Sequence, residues 1–256
     1  MPLYFSEMTS DEVGQAAGAG ALALIPVGAI EAHGPHLPTG TDSLIADEVA
    51  RRLAGKLQQE GVTSIIMPTI PFSVADCARG FPGTVSIRGE TLQALLIDIG
   101  RGLLEDGFQR AAILCFHLEP ANAEHINQAV DIIRRDVGLE ISEVFVSNSN
   151  VWLPRLRGIL QYRLRQDLHG GEMETSIMLA VRPDLVRESW RSLPPTEVDL
   201  IATAAAGIPF KDVGPGYFGA PALSAEGKGD SIMSLLVATT TQAVRELLGR
   251  TEIQAS

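Results

Sequence analysis

Residues 21–33 read ALALIPVGAIEAH, an apolar run that ends abruptly in a Glu-x-His pair, Glu31 and His33. A short, continuous, aliphatic run of this kind reads as a strand buried on both faces, as in a parallel sheet. The pattern recurs. AAILCF at 111–116 runs into His117-Leu118-Glu119, the mirrored His-x-Glu pair. In extended chain, residues i and i+2 point the same way, so each pair can aim a carboxylate and an imidazole at one point. The carboxyl ends of strands are also where sites assemble in open α/β sheets, so the two pairs stand where they could converge.

Outward from these runs, strand-like and helix-like segments alternate. ALALIPV is followed by a helix from about Ser43, SIIMPTI at 64–70 by a helix from about Glu90, and AAILCF by a helix after Pro120 and a strand, EVFV, at 143–146. This is the βαβ rhythm of a mostly parallel sheet covered on both faces. Leu92, Leu95, Leu96, Ile99 and Leu103 share one helical face, as do Ile126, Ala129, Val130 and Ile133, with Gly107 and Gly138 as stops. From about Asn148 prolines interrupt the pattern until a final helix from about Asp230 to Leu248. The glycine- and proline-rich stretch at 211–230 reads as an ordered loop near a site. No linker divides the chain, so residues 1–256 are expected to form one domain.

A chain of 256 residues with 45% hydrophobic content can fill one core. Its net charge of −11 excludes a basic field, and with it nucleic acid and anionic membranes as partners. The two cysteines, Cys77 and Cys115, lack metal-type spacing and argue against a disulfide framework. The N-terminus does not read as a secretory signal, and the apolar run from Ala16 to Ile30 is interrupted by Pro26 and short of a bilayer span. A cytoplasmic protein with a small-molecule partner is expected.

Asp42, after the loop GPHLPTGT, is a fifth candidate ligand beside Glu31, His33, His117 and Glu119. It also sits where a helix N-cap belongs, so capping competes with ligation for it. A lone glutamate past a strand is ordinarily solvated, and a lone histidine is ordinarily a hydrogen-bonded core or surface residue. Here, however, the chain has only five histidines, and His33, His36 and His117 all follow apolar strands beside acids. A carboxylate can bridge two cations that share one attacking water. Imidazole and carboxylate donors without thiolate suit two divalent ions, zinc or manganese first, with iron also admissible.

PVGAIEAHGPHLPTGTD at 26–42 resembles the signature of the creatininase family of amidohydrolases. The resemblance continues through FPGTVSI at 81–87, FHLEPAN at 116–122, HGGEMETSIMLAVRPDLV at 169–186 and GYFGAPALSAEGKG at 216–229. It implies a three-layer α/β/α fold, assembly into homohexamers, and a binuclear centre on Glu31, His33, Asp42, His117 and Glu119. It also implies hydrolysis of a C–N bond in a small cyclic amide, lactam or formamide by hydroxide held between the metals. His169 matches the family's catalytic histidine and would protonate the leaving nitrogen; its alternative is to orient the following helix. Glu174 would orient His169 or contact the metal shell, or else serve the helix dipole. His36 is expected to support the site from behind. Ser73, Arg79, Leu118, Trp152 and Tyr217 are candidates for the pocket lining. Leu118 stands where creatininase has an aromatic residue, and Arg79 lies near the place of a missing histidine, where it would favour an anionic substrate. Two other readings are hydrolysis of an inosose-type ring by the same centre, and a non-catalytic, metal-stabilised protein of a biosynthetic assembly.

Overall fold

The computed structural model describes residues 3–254. Strand β1 (Leu3–Tyr4) leads through helix α1 (Ser10–Gly18) to β2 (Leu22–Val27), then α2 (Thr41–Gln59), β3 (Ser64–Ile66), α3 (Gly89–Glu105), β4 (Arg110–Cys115), α4 (Pro120–Ile132) and β5 (Glu140–Glu143). Helices α5 (Ser149–Leu156), α6 (Glu172–Val181), α7 (Leu200–Ala205) and α8 (Glu226–Gln254) complete the chain. The five strands form one parallel sheet in the order β1-β3-β2-β4-β5.

The alternation of side chains along β2 and β4 divides the core into two halves. Leu22, Leu24, Ala112, Leu114 and Phe116 pack with α2, α6 and α8, whereas Ala23, Ile25, Val27, Ala111, Ile113 and Cys115 pack with α1, α3 and α4. The result is the three-layer α/β/α arrangement, and both halves are apolar because a parallel sheet is covered on both faces.

Topology then positions the site. From β2 the chain crosses by α2 to β3 on one side, and from β4 it crosses by α4 to β5 on the other side and over the opposite face. Because the two exits diverge, a crevice opens between the carboxyl ends of these neighbouring strands. β2 and β4 are paired up to Val27↔Cys115, so the segments carrying Glu31 and His117 start from the same level.

Some segments differ from the reading of the sequence. The strand expected at EVFV lies at Glu140–Glu143 instead. Glu143 ends it, because its carboxylate accepts hydrogen bonds from the amides of Phe145, Val146 and Ser147 and bends the chain into a turn. The strand within SIIMPTI stops at Ile66, two residues before Pro68, which has no amide hydrogen to give. α8 starts at Glu226, one turn before the expected Asp230, and takes in the end of the glycine-rich loop. Among the described residues no helix is long and apolar enough to cross a membrane.

Candidate metal centre

Asp42 lies in the first turn of α2, and Gly40 is the N-cap residue, without any side-chain cap bond. The carboxylate of Asp42 is thus spared for the crevice. Its Oδ1 is 3.1 Å from His33 Nε2, and its Oδ2 is 3.1 Å from His117 Nδ1. Glu31 Oε1 lies 3.3 Å from His117 Nδ1 and 3.5 Å from His169 Nδ1. Glu174 Oε2 lies 3.5 Å from His33 Nε2. All of these side chains are buried.

The histidines are oriented by backbone carbonyls, which can only accept. His33 Nδ1 donates to Glu31 O at 3.1 Å, His117 Nε2 to Val74 O at 2.7 Å, and His169 Nε2 to Ala32 O at 2.7 Å. Each neutral ring therefore turns its unprotonated nitrogen toward the carboxylates, the usual way in which a second hydrogen bond fixes a metal-binding tautomer. Val74 is in turn placed by Asn122, whose Oδ1 accepts from Val74 N at 3.2 Å while its Nδ2 donates to Cys115 Sγ at 3.3 Å.

Helix α6 supplies Glu174, and the loop before it supplies His169. Asp167 anchors both, accepting from the amides of Glu172, Met173 and Ala220 at 2.7, 2.8 and 3.2 Å. Gly170 has φ +60°, and a Cβ there would come 3.1 Å from His33 O, so only glycine lets this loop cross the His33 backbone. The crossing stacks His169 on His33 with ring centroids 4.3 Å apart. His36 Nε2 meets Thr175 Oγ1, the residue after Glu174, at 2.8 Å.

The arrangement demands cations. Unprotonated nitrogens confront carboxylate oxygens, and His33 Nε2 and Asp42 Oδ2 are buried without a hydrogen-bond partner. Among the described residues no lysine or arginine lies within 4.0 Å of Glu31, Asp42, Glu119 or Glu174. Buried charges without partners are costly, and here protons are the substitute. Burial alone would lower His33, yet Asp42 and Glu174 outweigh it and hold the ring up at about 10. His117 is likewise held well above its usual value, its burial outweighed by Glu31 and Asp42. Burial pushes Glu174 up to about 8. It pulls His169 down to about 4, with the charge of His33 acting in the same direction.

Three groups bring donor atoms within 4.8 Å of one another: Glu31, Asp42 and His117; His33, Asp42 and Glu174; and Glu31, His33 and His169. Four of the five ligands expected from the sequence converge in this way. Glu119 belongs to none of the groups. Its carboxylate accepts from the amides of Asp76 and Cys77 at 3.0 and 3.1 Å, and it is 3.9 Å from His117 Nε2, the nitrogen already bound to Val74. Glu174, expected to orient His169 or contact the metal shell, lies in the group with His33 and Asp42. Burial raises the Glu119 carboxyl above its usual range.

A cavity opens onto this cluster, with Glu31, Asp42, His117, Glu119, His169 and Glu174 at its base. Of the expected lining residues, Leu118 borders it. Ser73 is buried, donating to Gly28 O at 2.6 Å, and Tyr217 donates to Pro194 O at 2.8 Å with its ring toward His36. Arg79 is exposed and tied to Asp76 outside the cavity. Trp152 is a core residue, its indole N–H bound to Phe145 O at 3.0 Å and its ring packed on Phe145. Leu168, Phe210 and the α7 residues Leu200, Ile201 and Ala204 complete the walls and were missed, because no local periodicity brings α7 to this place. Asn122 and Cys77 were missed as well; the available signal for Asn122 was its place in FHLEPAN, three residues after Glu119.

The family profile described as creatinine amidohydrolase matches residues 6–244. A creatinine amidohydrolase of Pseudomonas putida is 28% identical over 95% of this chain and 96% of its own length. A mycofactocin precursor peptide peptidase of Mycobacterium tuberculosis is 34% identical, over 66% of this chain and 62% of that protein. A solved structure titled creatininase Mn superposes with a TM-score of 0.75 at 25% identity, covering 96% of this chain and 98% of that one. The chain therefore belongs to the creatininase family of amidohydrolases, which are metal-dependent hydrolases, and its residues offer the donors for a divalent-metal centre.

Proposed function

We propose that this chain is an amidohydrolase that uses two divalent cations, zinc or manganese, to hydrolyse the C–N bond of a small cyclic amide, lactam or formamide. The observation that carries the reading is the division of Asp42, one carboxylate oxygen toward His33 and the other toward His117. Glu31, Asp42 and His117 would hold one ion, and His33, Asp42 and Glu174 the second. When bound, the ions supply Lewis acidity that activates water and polarises the carbonyl.

The chain itself supplies the proton path. Glu119 borders the cavity, is fixed by two backbone amides, and has a carboxyl raised toward the range useful for proton exchange. We assign to it the proton taken from water and passed to the leaving nitrogen. His169, drawn down to about 4 by its burial, is a poor proton donor near neutral pH; its Nδ1 faces Glu31 and positions groups at the base of the cavity. A polyhydroxylated inosose ring would set its hydroxyls against Leu118, Leu168 and Ile201 without partners, which favours the amide reading. Homohexameric assembly remains part of the proposal by family resemblance.

The test is hydrolysis of a panel of cyclic amides, lactams and formamides by zinc- or manganese-loaded protein. The reading expects metal-dependent turnover of at least one class, abolished by chelation. Protein that holds two ions and turns over nothing in the panel would sink it.

A further inference from the structure

The cavity above the metal centre is chemically two-sided. Apart from Cys77, its polar side chains all belong to the cluster at its base, whereas the walls and mouth are Leu118, Leu168, Leu200, Ile201, Ala204 and Phe210. These come from distant parts of the chain and are fixed by packing. Leu200, Phe210 and Phe218 form a small core of their own with Leu168 against it, which docks α7 over the site. Ile201, also in the lining, is left 50% exposed. The cation that could have paired with an anionic substrate, Arg79, is bound to Asp76 outside the cavity.

We infer that the substrate carries an uncharged apolar substituent, aliphatic or aromatic, on the group that is hydrolysed, and that Leu118, Leu168, Ile201, Ala204 and Phe210 receive it. The inference rests on the amidohydrolase reading and narrows it to a substrate class. An apolar group of this kind leaves water for a wall that offers no hydrogen bonds, while a carboxylate or phosphate would find no counter-charge there.

The test uses hydroxamates, which bind a metal pair through the same head group and differ in their tails. Acetohydroxamate, isocaprohydroxamate and succinate monohydroxamate are titrated calorimetrically into zinc- or manganese-loaded protein. Isocaprohydroxamate is expected to bind at least about tenfold tighter than acetohydroxamate, a gain on the scale of added methylenes in an apolar pocket, and succinate monohydroxamate no tighter than acetohydroxamate. Ile201→Asn, a change at an exposed position, is expected to shrink the ratio between the apolar and the short hydroxamate. Equal affinities for the two, or tightest binding by the succinate derivative, would overturn the inference and leave the amidohydrolase reading standing. Failure of all three to bind metal-loaded protein would overturn both.

Discussion

Asp42 Oδ1 faces His33 Nε2 across 3.1 Å, and with the other ring nitrogen donating to Glu31 O the neutral imidazole has no hydrogen to place between them. Two lone pairs held this close inside the protein need a proton or a metal ion. The metal-free protein takes the proton, and the loaded protein replaces it.

Stability should therefore depend on pH more steeply without metal than with it. His33 is raised from 6.5 to about 10, so between those values the folded metal-free chain holds a proton that the unfolded chain has released. Its contribution is complete below about 6.5 and lost as pH rises through about 10. Glu174, raised from 4.5 to about 8, adds a penalty in the same direction as it ionises. Thermal unfolding of chelated protein should show Tm falling from pH 6.5 to 10, with the fall suppressed by zinc or manganese. A chelated Tm that rises over this range would contradict the account.

Glu119 and Glu174 should separate cleanly. Glu174→Gln removes a donor from the His33–Asp42 group and is expected to weaken metal binding. Glu119→Gln is expected to retain both ions and lose roughly 100-fold or more in kcat, the scale of a general acid–base contribution. Metal content and kcat measured on both variants decide the assignment; loss of an ion from Glu119→Gln would restore it to the ligand set.

These two glutamates are where the sequence discloses least: it offers Glu119 as a ligand and Glu174 as a residue orienting His169 or contacting the metal shell, and the donor groups contain Glu174 and not Glu119. The sheet, its layers and four of the donors follow from apolar runs and the residues beyond them, and the crevice follows from strand order. Glu119, unlike Glu31 and His33, is already the N-cap residue of a helix, α4, and precedes Pro120. There the amides of Asp76 and Cys77, distant in sequence, capture its carboxylate. Glu174 reaches the centre only because Asp167 and Gly170 fold its helix against His33, a long-range contact without local periodicity. Trp152, a candidate for the pocket lining from the sequence, packs against Phe145 in the core instead, another contact that no local pattern announces.

Asn122 should matter for metal affinity although it touches no donor. It holds Val74, whose carbonyl fixes the ring of His117. Asn122→Leu is expected to weaken binding by about 10- to 100-fold, as loss of a supporting hydrogen bond behind a metal ligand does. A metal titration with a competing chelator checks this, and circular dichroism shows whether the variant is folded. Unchanged affinity in a folded variant would dissociate Val74 from the centre.

The most direct measurement is metal content after equilibrium dialysis against zinc or manganese. The account predicts two ions per chain in the native protein, and one or none in Asp42→Ala, since both groups lose their shared carboxylate. A native protein that saturates at one ion, or an Asp42→Ala variant that keeps two at the same affinity, would contradict a centre bridged by Asp42.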